Sequence, residues 1–204
     1  MTKFWGPLGW MTLHSVSVIY PEYPSPEEKA IARKFVDLFA STITCRYCKE
    51  HFAKMYSVYL SDHPEMFASR FELVKFAILA HNTVNARLDK PRPTSVKDCL
   101  ETLVSNTKNV STSQFRSNYI AYLIKNWSRE RTGDGAIFKM QSREMEKINN
   151  EYWTPRDTGF EGLSFPEFDV RVPIENVNSK PKILGIPTSG IVGFKGGRLS
   201  LIRR

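Results

Sequence analysis

Proline placement limits the folds open to this chain more than any other feature of its sequence. Through the first hundred residues the prolines bracket apolar runs: Pro7 opens one, Pro21 and Pro24 close it, Pro26 and Pro64 stand at the start of two more, and Pro91 and Pro93 end the last. Proline is tolerated in the first turn of a helix and costly in its interior, because it lacks the N–H that the ladder needs. Each bracketed run is therefore free to be a helix if its apolar period allows it. The run Leu8, Trp10, Met11, Leu13, His14, Val16, Val18, Ile19 suits a buried helix. Ser25, Pro26, Glu27 and Glu28 form a helix start, and Ile31, Phe35, Val36, Leu38, Phe39 and Ile43 follow with helical spacing to about Thr44. A shorter helix beginning at Cys45 puts Tyr47, Cys48, Phe52, Met55 and Tyr56 on one face. The longest signal runs from Pro64 to Lys90 through Phe67, Phe71, Val74, Ile78, His81, Asn82, Asn85 and Leu88. Ser95 caps a fifth helix carrying Cys99, Leu100, Leu103 and Val104.

The polar stretch Ser105 to Ser113 reads as a linker, which divides the chain into a unit at 1–108 and an extension at 111–204. In the extension, Phe115, Tyr119, Tyr122, Leu123 and Trp127 predict an amphipathic helix, and Ile137 to Tyr152 a charged one after the Gly133-Asp134-Gly135 turn. From Thr154 the chain is rich in Pro and Gly, with short apolar fragments such as Ile183-Leu184 and Ile191-Val192, and reads as irregular or weakly β. The expected fold class is all-α, with a partly helical, partly irregular extension.

Hydrophobic residues at 41% and charged residues at 25% are ordinary for a globular protein of 204 residues and exclude a wholly disordered chain. No window reaches the eighteen or so apolar residues of a membrane span, and no basic, then apolar, leader opens the chain, so a protein without membrane span or secretory signal is expected. Lys and Arg exceed Asp and Glu by 29 to 21, an excess spread along the chain. Asn176 to Arg204 alone carries six bases and no acid, a solvated tail or a weak contact for a polyanion such as nucleic acid or anionic lipid.

Three cysteines are too few for a disulfide-stapled scaffold. Cys45 and Cys48, two residues apart at a helix start, lie close enough for a disulfide, and the free N–H groups of a helix N-terminus favour a thiolate. Arg46, Lys49 and Lys54 add positive charge nearby. Two alternatives stay open on the residues alone: a zinc site using Cys45, Cys48, His51 and Cys99, although a second knuckle is missing, and a buried, inert pair. A thioredoxin-like site needs a βαβ surround that this pattern lacks. Further along, His81, Asn82 and Asn85 bring an imidazole and two amides to an apolar helix, where they need polar partners from a flat heteroaromatic ligand or from an inter-helix hydrogen-bond network. Trp10 and His14 stand one turn apart on the first helix, suited to stacking and to a phosphate or ribose contact, with core packing as the default for Trp10. No glycine-rich phosphate loop is present, so a dinucleotide would have to be held by helix faces.

Taken in order, Trp10-Met11-Thr12-Leu13-His14, Tyr20-Pro21, Cys45-Arg46-Tyr47-Cys48, His81-Asn82-Thr83-Val84-Asn85 and Leu88-Asp89-Lys90 resemble the Erv/Alr family of FAD-linked sulfhydryl oxidases over about residues 4–104. The resemblance implies a four-helix bundle with a short fifth helix, FAD between the helices, and a homodimer as in many members. It implies that Cys45 exchanges with a dithiol protein, thioredoxin-like or of a virion, and that Cys48 lies next to the flavin, with oxygen as final acceptor and hydrogen peroxide as product. Trp10, His14, Cys48, His81, Asn82, Val84, Asn85, Arg87, Leu88 and Lys90 would line FAD, with Lys90 and Arg87 toward the phosphates and no metal at the site. Cellular members commonly pair a cysteine near Cys99 with a later one, where this chain has Arg116 and Ser117; Cys99 is then a buried free thiol or an intermolecular link, the first being expected because free cysteine is usually buried. No separate shuttle pair exists either. Short, shuttle-free members resemble those of large DNA viruses, which implies host cytoplasm or virion as the location, and otherwise the mitochondrial intermembrane space.

Overall fold

The computed structural model describes residues 2–130 and 133–174. Seven helices occur among them: α1 (Thr2–Ile19), α2 (Pro26–Thr42), α3 (Arg46–Asp62), α4 (Arg70–Arg87), α5 (Val96–Asn106), α6 (Thr112–Trp127) and α7 (Gly133–Ile148). A π-helical turn (Asn149–Trp153) and a 3-10 turn (Thr154–Arg156) follow, then irregular chain to Ile174 with no strand among the described residues. The expected all-α class stands. The weak β character expected after Thr154 is absent as far as Ile174, and the fragments at Ile183 and Ile191 lie outside the described residues.

Local chemistry sets the helix starts. α2, α4, α5 and α6 each open on a serine, Ser25, Ser69, Ser95 and Ser111, whose hydroxyl accepts the N–H of the residue three further on. At α2 the Glu28 carboxylate returns the bond to the Ser25 N–H, completing a capping box. Two boundaries differ from expectation. α4 starts at Arg70, not near Pro64, because Ser69 provides the cap and residues 64–69 form a turn, fixed where Tyr20 Oη donates to Phe67 O at 2.8 Å. α1 begins at Thr2, with Pro7 inside it. The bond that Pro7 cannot donate is offset by the buried Trp5 two residues earlier, whose burial is worth about 2 kcal/mol.

α1 packs against α4 on one side and α6 on the other; α3 joins α2 to α4, and α7 lies on α2 and α6. The α1–α6 approach is close, since a Cβ on Gly9 would sit 3.3 Å from Cε2 of Tyr119. A single hydrophobic core runs through Phe35, Phe39, Phe52, Phe76, Tyr119, Leu123 and Trp153, and so crosses the Ser105–Ser113 stretch without a break. That stretch is a tight connection between α5 and α6, and its Ser111 is the α6 cap. Trp127 Nε1 donates to Thr42 O at 3.0 Å, tying the ends of α6 and α2 together.

Below this core lies a closed polar cluster. Arg116 is fully buried; it pairs with Asp157 at 3.0 Å and donates to Asn149 Oδ1 at 2.8 Å and Ser15 Oγ at 3.2 Å. Asp157 also accepts from Thr112 Oγ1 and from the Gly159 N–H. Burial opposes both charges, but the hydrogen bonds from Thr112 and Gly159 and the Arg116 charge hold the Asp157 carboxyl below its usual range. Where the resemblance expects a second cysteine, the chain thus fastens α1, α6 and the segment after α7 with an ion pair. Cys99 is free and buried, as expected.

Candidate functional site

α3 opens on a cysteine instead of a serine. Cys45 is its N-cap, and the Cys45 sulfur accepts the Cys48 N–H at 3.3 Å, the bond that Ser25, Ser69, Ser95 and Ser111 make through oxygen elsewhere. A CxxC pair spans the same two positions, N-cap and third residue, that a capping box links. Cys45 and Cys48 are disulfide-bonded, with Cα atoms 5.2 Å apart, and both are half-buried. On reduction, the helix N–H and the positive end of α3 favour a thiolate at Cys45. The nearby cations contribute less than their proximity in sequence promised: Arg46 turns to solvent and pairs with Glu50 at 2.9 Å, and Lys49 lies 4.0 Å from the Phe138 ring centroid.

The disulfide borders a cavity of about 800 Å³ between α1, α3, α4 and α5, reached also by Phe115 of α6. Every residue expected at the site lines it. α1 contributes Trp10 and His14, α3 the two cysteines, and α4 His81, Asn82, Val84, Asn85 and Arg87, with Leu88 and Lys90 just beyond its end. Trp10 and His81 present parallel rings, 4.3 Å between centroids and 7° between planes. His14 Nε2 and His81 Nδ1 are 3.0 Å apart and share one hydrogen bond, so one ring donates and the other accepts. Burial lowers both imidazoles: His14 falls well below its ordinary value, helped by His81, and His81 falls to about 4, helped by the Lys90 charge. Both rings are neutral at pH 7, and the two imidazoles are each other's hydrogen-bond partner.

Asn82 is 4% exposed, and its amide nitrogen donates to Val170 O at 2.7 Å. An inter-helix hydrogen bond, His14 to His81, and a cavity beside it are thus both present. At the mouth, α4 ends in a Schellman turn: Lys90 N–H returns to Asn85 O at 2.9 Å and Asp89 N–H to Ala86 O at 3.2 Å, with Asp89 at φ 51°. That turn places exposed Lys90 and Arg87 at the rim, where Arg87 also lies 5.1 Å from the Tyr47 ring centroid.

Sequence reasoning missed several of the walls. His51, considered only as a zinc ligand, lies one turn after Cys48 and lines the cavity, its imidazole lowered by burial, then by Arg87 and Lys54. The helical spacing from Cys48 was the available signal. Phe115 belongs to the extension and had none. Cys99 also lines the cavity, and burial pushes its thiol up to about 12, so it is an inert surface at neutral pH. Among the described residues no group of three or more His, Cys, Asp or Glu side chains is arranged to hold a metal ion, and two of the four zinc candidates are bonded to each other. No described helix is long and apolar enough to cross a membrane.

The sequence profile of the Erv1 / Alr family matches residues 8–115, the stretch that supplies all of the cavity lining except Trp5, Gly6 and Pro7. Mitochondrial FAD-linked sulfhydryl oxidase ERV1 of Saccharomyces cerevisiae is 33% identical over 87 residues, 43% of this chain and 44% of the yeast protein. Protein 347L of Invertebrate iridescent virus 6, whose name places it in the same class, is 37% identical over 91 residues, 43% of this chain and 81% of the viral one. The FAD-linked sulfhydryl oxidase of African swine fever virus is 29% identical over 86 residues, 42% and 69% of the two chains. This chain thus spans less than half the length of the yeast relative. No solved structure matches it.

Proposed function

The chain belongs to the Erv1 / Alr family, and from that premise we propose that it is an FAD-linked thiol oxidase, forming disulfides in dithiol proteins with oxygen as the final acceptor. The observation that carries this reading is the Cys45–Cys48 disulfide at the N-terminus of α3, opening on the cavity walled by the stacked Trp10 and His81 rings.

The residues present fit a flavin dinucleotide. An apolar lining and the edges of the Trp10–His81 stack suit a planar heteroaromatic system, neutral His14 and His81 leave the wall uncharged, and Arg87 and Lys90 offer charge to a pyrophosphate at the rim. When bound, FAD supplies the two-electron acceptor that reoxidises the dithiol and hands the electrons to oxygen as hydrogen peroxide.

The remaining steps belong to the chain. A substrate thiolate attacks the Cys45 sulfur, the Cys45–Cys48 bond breaks, and Cys48 leaves as a thiolate facing the cavity. The second substrate thiolate then attacks the mixed disulfide; Cys45 is released as a thiolate stabilised by the Cys48 N–H, and the substrate departs as a disulfide. Each substrate thiol gives up its proton on becoming the attacking thiolate, so two protons are released as the two electrons pass to the cysteine pair. Half-buried Cys48 lines the same cavity as Trp10 and His81.

Within this proposal the substrate is a protein dithiol, thioredoxin-like or of a virion, the active form is a homodimer, and the site of action is host cytoplasm or virion. Purified protein is expected to be yellow and to consume oxygen with dithiothreitol. Cys48→Ser should reduce that uptake to background while flavin absorbance remains. Colourless protein carrying about one zinc per chain would instead support the metal-binding alternative.

A further inference from the structure

α4 is buried on every side between Phe76 and Ala80, and a helix apolar all round needs a covering element on each face. α1 and α3 cover two. The segment 163–174, beyond the family match, covers another: Ile174 N–H donates to Thr83 Oγ1 at 3.0 Å, Phe168 meets Phe71 edge-on with centroids 6.0 Å apart, and Glu167 accepts the Val96 N–H of α5 at 3.2 Å.

One further contact reaches the cavity. Val170 O can only accept, so the Asn82 side chain must turn its nitrogen toward that carbonyl. The amide oxygen is then left without a hydrogen-bond partner among the described residues, on a side chain 96% removed from solvent that lines the cavity. An acceptor held that way suits a ring N–H of the bound dinucleotide.

We propose that the 163–174 segment is a positioning strap for the cofactor site: through Val170 O it fixes the Asn82 amide with its oxygen toward the ligand. The inference rests on the flavin reading above. Asn82 touches the ligand, and Val170, Phe168 and Thr83 act through it. A free amide would divide its time between orientations and lose part of its hydrogen bond to the ligand, which sets the expected effect at about fivefold in affinity. Coupling is reciprocal, so FAD must in turn tighten the strap.

The test uses the full chain, stripped of flavin, in wild type and in a Thr83→Val, Glu167→Gln, Phe168→Ala variant, none of which lines the cavity. FAD affinity is read from flavin-fluorescence quenching, and strap opening from amide exchange at 163–174. Expected are a dissociation constant raised about fivefold, a shifted visible flavin band, and, in wild type, slower exchange at Ile174 when FAD is added. Asn82→Asp, which sets a second acceptor against Val170 O, should release the strap in the same assay. Melting well above the assay temperature keeps global unfolding apart from these readings. A released strap with wild-type affinity, in the triple variant or in Asn82→Asp, overturns the proposal, as does an affinity lowered in the triple variant while 163–174 stays closed. Wild-type protein that binds no FAD overturns the flavin reading instead.

Discussion

Two buried polar clusters flank α1, and they are built on opposite principles. At the Arg116 end each charge meets its complement: the guanidinium has Asp157, Asn149 and Ser15, and Asp157 has Thr112 and the Gly159 N–H besides. At the cavity end His14 and His81 share a single bond, and Asn82 has one partner for its nitrogen and none described for its oxygen. Buried polar groups cost stability unless paired, so a saturated cluster fastens elements, whereas the cluster beside the 800 Å³ cavity keeps polar capacity that the flavin reading would use.

The largest test of the contrast is to break the saturated side. Arg116→Ala removes the charge paired with half-buried Asp157, leaving that carboxylate only Thr112 and the Gly159 N–H, and should cost about 3 kcal/mol, read as a lower urea midpoint. The paired change Arg116→Met with Asp157→Leu should recover most of the loss, because an apolar pair of similar volume replaces the ions. Recovery would be absent if Arg116 worked through its bonds to Asn149 and Ser15 alone.

The unsaturated side should respond to acid. The folded His81 pKa of about 4 lies below its unfolded 6.5, so between those values the unfolded chain binds a proton that the folded chain refuses. Stability is therefore complete above pH 6.5 and falls as pH drops toward 4, by roughly 3 kcal/mol for this group, with His14 adding in the same direction. His81→Asn should flatten the slope of melting temperature against pH across that window. Asp157, lowered instead, keeps its contribution until the pH falls through its folded pKa, below about pH 4, so the two clusters should fail in separate windows.

The smallest expected effect is at the rim. Asp89→Gly relieves a left-handed conformation at φ 51° and should stabilise the protein by about 1 kcal/mol without altering FAD affinity, since the backbone of the turn is kept. A changed affinity would place the Asp89 carboxylate itself in the binding of the ligand.

Much of the cavity side was legible in the sequence because its signals are local. Helical period put His81, Asn82 and Asn85 on one stretch of α4 and Trp10 with His14 on α1, and the CxxC spacing is itself a cap-to-third-residue spacing. The late start of α4 was also legible, in Ser69 followed by Glu72, but the apolar run through Phe67 masked it. Arg116 was not readable: next to Ser117 on an amphipathic helix it looks like a solvent-facing base, and only Asp157, 41 residues on, makes its burial tolerable.

Periodicity, capping residues and cysteine spacing by themselves determined seven helices' worth of order, a closely spaced cysteine pair at a helix start and the helical stretches that carry Trp10, His14, His81, Asn82 and Asn85, because each is decided by neighbours within a turn or two. Tertiary structure alone decided that α6 and α7 complete the core, that His14 turns to His81, and that the chain after α7 returns to hold Asn82. Those outcomes depend on pairing buried polar groups far apart along the chain, and no local rule specifies which distant partner will satisfy them.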